Sequence, residues 1–185
     1  MRRLPPEFFA RDATAVAPEL LHTLLVIGGL RACITEVEAY TQDDEASHSF
    51  RGVTRRNAPM FGPPGMLYVY LIYGMHHCIN VVTGEAGDGQ AVLVRGAVVD
   101  GVDARLTNGP GKLARTLGVD RSWNGTPAEV FTDGSTPTVV EVTPRIGITK
   151  AAALPRRWIA HRGRPRSAEI GRGSAQRASA SQCIQ

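Results

Sequence analysis

A chain of 185 residues, 43% of them apolar, has enough to fill one hydrophobic core, and no apolar run approaches the roughly 18–20 residues of a membrane helix. The start, MRRLPPEFFA, lacks the apolar stretch of a secretory signal, and three cysteines without a CxxC pair (Cys33, Cys78 and Cys183) favour a reducing cytoplasm over a disulfide framework. The net charge is +4, and of 21 basic residues only Lys112 and Lys150 are lysines, so the chain is arginine-rich and compatible with phosphate and nucleic acid.

PPEFFARDATAVAPELLHTLLVI opens on prolines and aromatics, and Asp12 is placed to cap a helix carrying Val16, Leu20, Leu21 and Leu24 on one face. Gly28-Gly29 then reads as a turn. LRACITEVEAY alternates as a strand, with Ile34, Glu36, Glu38 and Tyr40 expected on one face and Cys33, Thr35, Val37 and Ala39 on the other. Residues 41–66 form a long polar connection rich in glycine and proline, with an acidic patch (Asp43, Asp44, Glu45) before His48 and a basic one (Arg51, Arg55, Arg56) after it. MLYVYLIYG is a strong strand signal, Gly74 breaks it, and HHCINVVT returns as its partner, which puts Tyr73 at or near a hairpin tip. GQAVLVRGAVV predicts a further strand with Arg95 among apolar neighbours. LTNGPGKLARTLGVD predicts a turn, a short helix and a glycine cap at Gly118, and TPTVVEVTPRIGITKA a late strand. From Arg156 to Arg177 the chain is arginine-rich with glycine, serine and proline between, which predicts a domain over 1–160 and a basic, disordered tail over 161–185.

Several chemistries find no support. The turn before the short helix does not fit the phosphate-binding GxxxxGKS/T spacing, and no GxSxG elbow is present. His48, His76, His77 and Cys78 raise the question of a metal, yet His76 and His77 point to opposite faces of a strand and no HxxxH or CxxC spacing accompanies them. Glu38 is a candidate general base, set between Val37 and Ala39 and near a tyrosine; periodicity alone favours an exposed strand glutamate, and Glu36, on the same face, could equally be the active group. Three of the four tyrosines, Tyr68, Tyr70 and Tyr73, fall within six residues. Tyr68 reads as core, but a phenol at a hairpin tip packs poorly, and flat aromatics serve to stack on bases or replace an extruded one.

The stretches ITEVEAY, ASHSFRGVTRRNAPMFGPPGMLYVYLIYGMHHCINVVT, AVLVRG, LTNGPGKLARTLGV and TPRIGI resemble the alkyladenine DNA glycosylase family (3-methyladenine DNA glycosylases of the AAG/MPG type) from about Phe8 to Lys150, in one order without a large gap. The resemblance implies a single-domain α+β fold, a curved and mainly antiparallel sheet with surrounding helices and a protruding β-hairpin. It implies an enzyme that flips alkylated or deaminated purines out of double-stranded DNA and hydrolyses the N-glycosidic bond; a non-catalytic damaged-DNA-binding relative is the alternative. By family motif Glu38 activates the water, with Arg95 and the Ile146 backbone carbonyl helping to hold it. Tyr40, His48, Tyr70 and Asn80 complete the base pocket, Asn80 at its floor, and Tyr73 fills the gap left by the flipped nucleotide. A monomeric, cytoplasmic protein, nucleoid-associated if bacterial, is expected, without metal or cofactor. Neither lysine falls in the pocket motifs, so a monofunctional enzyme is expected. After RIGI the family continues into an aromatic segment of the Arg-Phe-Tyr kind; here the chain reads RRWIAHRGRPRS, with Trp158 in the aromatic place.

Overall fold

The computed structural model describes residues 1–161. Among these, nine strands form one antiparallel sheet: β1 (Arg2–Arg3), β2 (Leu24–Ile27), β3 (Leu30–Tyr40), β4 (Leu67–Ile72), β5 (His76–Thr83), β6 (Gln90–Val99), β7 (Glu129–Thr132), β8 (Val139–Thr143) and β9 (Arg157–His161). The main path runs β1-β7-β2-β3-β6-β5-β4, and β9 joins β8 to β3. The helices are short: α1 (Pro6–Phe9), α2 (Ala13–Glu19) and α3 (Pro110–Thr116). The α+β class and the mainly antiparallel sheet agree with the expectation from sequence. No helix among the described residues is long and apolar enough to cross a membrane.

β3 is the organising strand. One edge pairs with β6 along nearly its whole length, while the other is shared by β2 (at Leu30–Cys33) and then β9 (at Glu36–Glu38). The changeover coincides with a bulge between Ile34 and Val37, where the register to β6 shifts. The bulge corrects the expected alternation: Ile34 packs in the same apolar cluster as Val37 and Ala39, not on the face of Glu38 and Tyr40, because one extra residue resets the two-residue period. The two-residue turn into β3 uses Gly28 and Gly29 at φ of 57° and 82°, the left-handed pair that a tight hairpin requires.

Asp12 caps α2 as expected, its carboxylate accepting from the Thr14 amide at 2.8 Å. The helix ends at Glu19, however, and Leu24 belongs to β2, opposite Cys33 and Phe131; the pairing partners on both sides override the helical spacing. α3 ends before Gly118, which takes the expected left-handed conformation at φ 66°. β1, β7 and β9 lie outside the strands expected from sequence, and the expected late strand is confined to β8. Trp158 stands on β9 opposite Val37 and packs against the main core. The expected tail beyond His161 lies outside the described residues; His161 itself closes β9.

Alternation gives the sheet two characters. Val37, Ala39, Val69, Ile79, Val81, Val92 and Val94 are buried with Val16, Leu20, Leu113 and Leu117 in one large core under α2 and α3. On the opposite face Tyr68, Val82, Ala91 and Met60 make a smaller cluster with Tyr40, Phe61, Met66 and Tyr70 against it.

Candidate active site

The polar face carries a cavity of about 160 Å³, roughly ten times the space one water needs. Strands supply Tyr40, Tyr68, Tyr70, Ile72 and Asn80 to its walls, the 41–66 connection supplies Ala46, His48 and Met60, and the segment after β8 supplies Gly147 and Ile148. Four of the expected pocket residues, Tyr40, His48, Tyr70 and Asn80, therefore meet around one space. Ile146 is half exposed and does not line it; its neighbours Gly147 and Ile148 do.

Glu38 lies beneath Tyr40 and is completely buried. Its Oε2 accepts from the Tyr40 hydroxyl at 2.9 Å, and its Oε1 accepts from the Ile146 N–H at 2.9 Å and lies 3.3 Å from Arg95 Nη1. Ile146 thus meets Glu38 through its amide, where a carbonyl facing a water was expected. Burial, and then the charge of Glu38, push the Tyr40 phenol up, so it remains a donor to the carboxylate. Burial opposes the charge on Arg95, but Glu38 and Glu36 outweigh it and hold the guanidinium protonated. Arg95 also donates from Nε to Glu36 at 2.9 Å, and Arg157 of β9 donates to the same Glu36 oxygen at 2.7 Å. The two glutamates are thereby distinguished: Glu36 is half-buried and holds two arginines, while Glu38 is enclosed beside the cavity.

His48 is exposed overall, yet its ring meets the edge of Tyr70 at 4.5 Å between centroids, and Nδ1 lies 2.9 Å from the Tyr68 hydroxyl. That cover, then the Arg56 charge, hold the imidazole below the ordinary histidine range, and burial pushes the Tyr68 phenol up to about 12. Both groups are neutral near pH 7. Asn57 ties the loop down, donating to the carbonyls of His48 (2.7 Å) and Gly52 (3.0 Å). Asn80, directly opposite Tyr68 across β4 and β5, is buried and donates to the Tyr68 carbonyl at 2.9 Å.

Tyr73 stands apart from the cavity at the tip of the β4–β5 hairpin, 80% exposed, with φ of 51°. A side chain other than glycine's is uncommon in that region, and such backbone strain gathers at functional positions. Arg51, Arg55 and Arg56 are exposed on the connection, and Arg56 donates to the Leu71 carbonyl near the hairpin at 3.0 Å.

A buried group that the sequence reading passed over backs the pocket. Arg145 and Asp44 are almost wholly buried and paired through both carboxylate oxygens, and Arg156 joins at 3.3 Å. The Arg145 guanidinium also covers the Tyr40 ring, 4.6 Å from its centroid. Asp44 had the appearance of one charge in a solvated acidic patch. The only signal was Arg145 within TPRIGI, a charge next to a turn.

Residues 7–164 match the methylpurine-DNA glycosylase (MPG) family. Proteins named "Putative 3-methyladenine DNA glycosylase" are similar along most of their length. One from Rhodopseudomonas palustris (strain BisB18) is 46% identical, over 84% of this chain and 86% of the relative. One from Methanoculleus marisnigri is 45% identical, over 84% and 93%, and one from Rickettsia felis 46%, over 80% and 86%.

Proposed function

The chain belongs to the methylpurine-DNA glycosylase family and is a DNA glycosylase, and from that premise we propose that it receives a damaged purine, flipped out of duplex DNA, in the Tyr40–Tyr70 cavity and hydrolyses its N-glycosidic bond with water activated by Glu38. The observation that carries this reading is the fully buried Glu38 carboxylate, held by Tyr40, Ile146 and Arg95 immediately behind an aromatic cavity.

In the proposed reaction a water oxygen bonds to the sugar C1′ as the C1′–N bond breaks. The bonding pair leaves with the purine, and Glu38 takes the water's proton. The same negative charge stabilises the positive charge that develops on the sugar. Arg95 and the Ile146 amide hold the carboxylate in one orientation, which a weakly held side chain would lack. A purine alkylated at N3 or N7 is cationic and leaves as a neutral base. Aromatic walls attract such a cation by about 0.5–2 kcal/mol. Extrusion costs a few kcal/mol, least at a damaged or mismatched pair, so opening the duplex itself contributes selectivity. Tyr73, exposed at the hairpin tip two residues after the Leu71 carbonyl that Arg56 holds, is suited to fill the vacated stack.

The test is incubation with duplexes carrying 3-methyladenine, hypoxanthine or 1,N6-ethenoadenine, followed by alkali. Abasic sites are expected in lesion duplexes and not in the matched undamaged one, and activity should survive a chelator. No lysine lines the cavity, so strand breaks should appear only after alkali. Absence of abasic sites in every lesion duplex would refute the reading.

A further inference from the structure

The cavity wall is held from behind by one buried ion pair. Arg145 Nη1 donates to the Ala39 carbonyl at 3.0 Å and to Asp44 Oδ2; Nη2 donates to Asp44 Oδ1 at 3.0 Å and to the Ala151 carbonyl at 3.4 Å. Asp44 in turn accepts from the Ala46 amide at 3.0 Å, two residues before His48. One guanidinium therefore joins the three pieces that enclose the cavity: the end of β3, the start of the 41–66 connection, and the 144–151 segment. The residue after Arg145 is Ile146, whose N–H holds Glu38 at 2.9 Å, and the next two line the cavity.

The same guanidinium has an electrostatic consequence. It lies 4.6 Å from the Tyr40 centroid and does not line the cavity, so it occupies the ring face turned away from the base site. An aromatic ring offers negative potential on both faces. A bare cation on the rear face would repel a cationic base on the front and compete for the same ring. Asp44, bonded to the guanidinium through both oxygens, cancels that charge where it arises. Burial opposes the Asp44 charge, but Arg145 and then Arg156 hold the carboxyl below its ordinary range, so it is ionised at neutral pH.

We propose that Arg145 and Asp44 are the positioning and charge-setting pair of this site: Arg145 aims the Ile146 N–H at Glu38 and backs Tyr40, and Asp44 keeps the front face of Tyr40 open to a cationic purine. The inference rests on the reading of the cavity as the base site. Neither residue touches the reacting atoms.

The test compares single-turnover release of cationic 7-methylguanine and neutral hypoxanthine, each from the same duplex context, by wild type, Asp44→Asn and Arg145→Met. Asp44→Asn leaves the rear cation uncompensated, so release of the cationic base should fall on the order of tenfold more than release of the neutral one. Arg145→Met removes the cation and should shift the ratio the opposite way, while release of both bases slows by about tenfold to a hundredfold because Ile146 is no longer aimed. A purely structural role would move both ratios together. Because Asp44→Asn risks misfolding, the same change is also made in the Arg145→Met background, which leaves the summed charge as in wild type and should restore the wild-type ratio. Ratios that move together, or an Asp44→Asn ratio unchanged in both backgrounds, overturn the proposal. Failure of the wild type to release either base overturns the base-site reading, and this proposal with it.

Discussion

The two faces of β3, β4 and β5 are made by the same backbone and obey different physics. One turns Val37, Ala39, Val69, Ile79 and Val81 under α2 and α3; the other, one residue out of step, lines the cavity with Tyr40, Tyr68, Tyr70 and Asn80, and Glu38 bonds to the Tyr40 hydroxyl. The first face is held by apolar burial, which is non-directional and proportional to area, at about 25 cal/mol per Å². The second buries polar groups, each of which costs free energy unless it finds a partner. Glu38 therefore recruits Tyr40, Ile146 and Arg95, and Asn80 recruits the Tyr68 carbonyl. The difference teaches where stability and chemistry reside: adjacent residues on one strand should fail in different assays.

The largest contrast is between Glu38 and Ile79. Glu38→Gln keeps shape and burial but is neither base nor anion, so base release should fall by about 10²–10⁴-fold while lesion binding stays within a few-fold. Loss of release on Glu36→Gln with Glu38→Gln near wild type would move the catalytic assignment to Glu36. Ile79→Ala, between Cys78 and Asn80 but facing the core, should cost about 2–5 kcal/mol in urea unfolding, with the single-turnover rate of the folded fraction little changed. A rate loss as large as that of Glu38→Gln would show that the faces are not separable.

The β4–β5 hairpin was the legible part. MLYVYLIYG and HHCINVVT read as two strands broken at Gly74, which puts Tyr73 at the tip without reference to the rest of the chain; the structure adds the register that sets Tyr68 opposite Asn80 and Tyr70 opposite Cys78. What escaped depends on partners far away in sequence. Leu24 follows the helix period of its neighbours but is claimed by β3 and β7. Ile34 is displaced by a bulge where β9 replaces β2, and β9 itself lies at the start of the arginine-rich stretch and becomes a strand by pairing with β3 and β8. Asp44 and Arg145 lie 101 residues apart, and no local pattern reports such a pair. The family resemblance supplied the roles of Glu38 and Arg95; periodicity alone left Glu38 and Glu36 equivalent, and only the partners in space separate them.

Tyr73 belongs to neither face, and its prediction is correspondingly narrower. Tyr73→Ala leaves a Cβ at the same left-handed φ of 51°, so the backbone cost is retained and the variant reads the ring alone. Base stacking on an aromatic is worth about 1–3 kcal/mol, so the flipping equilibrium should weaken by roughly tenfold or more, with little change in melting. Fluorescence of a reporter base opposite or beside the lesion measures this directly; an unchanged signal would remove Tyr73 from the extrusion step.

The smallest expected effect concerns pH, and it separates stability from the cavity altogether. His22 is 7% exposed, precedes β2 at φ 65°, and its Nδ1 has no hydrogen-bond partner among the described residues. Burial holds its pKa below the ordinary value, opposed by the charge of Asp133. The unfolded chain takes a proton on this residue near pH ~6.5, while the folded protein takes it only at lower pH. Unfolded molecules thus bind more protons in that window, and stability falls as pH drops below ~6.5 until the folded group also titrates. One proton sets a ceiling of about 1.4 kcal/mol per pH unit on the slope. His22→Asn tolerates the left-handed backbone and does not titrate, so its unfolding free energy should lose less than the wild type's between pH 7 and pH 5.5. Its base release at pH 7 should equal wild type, since His22 does not line the cavity. Equal acid slopes in the two proteins would show that His22 is charged in the fold, and that its burial is relieved by a partner such as water.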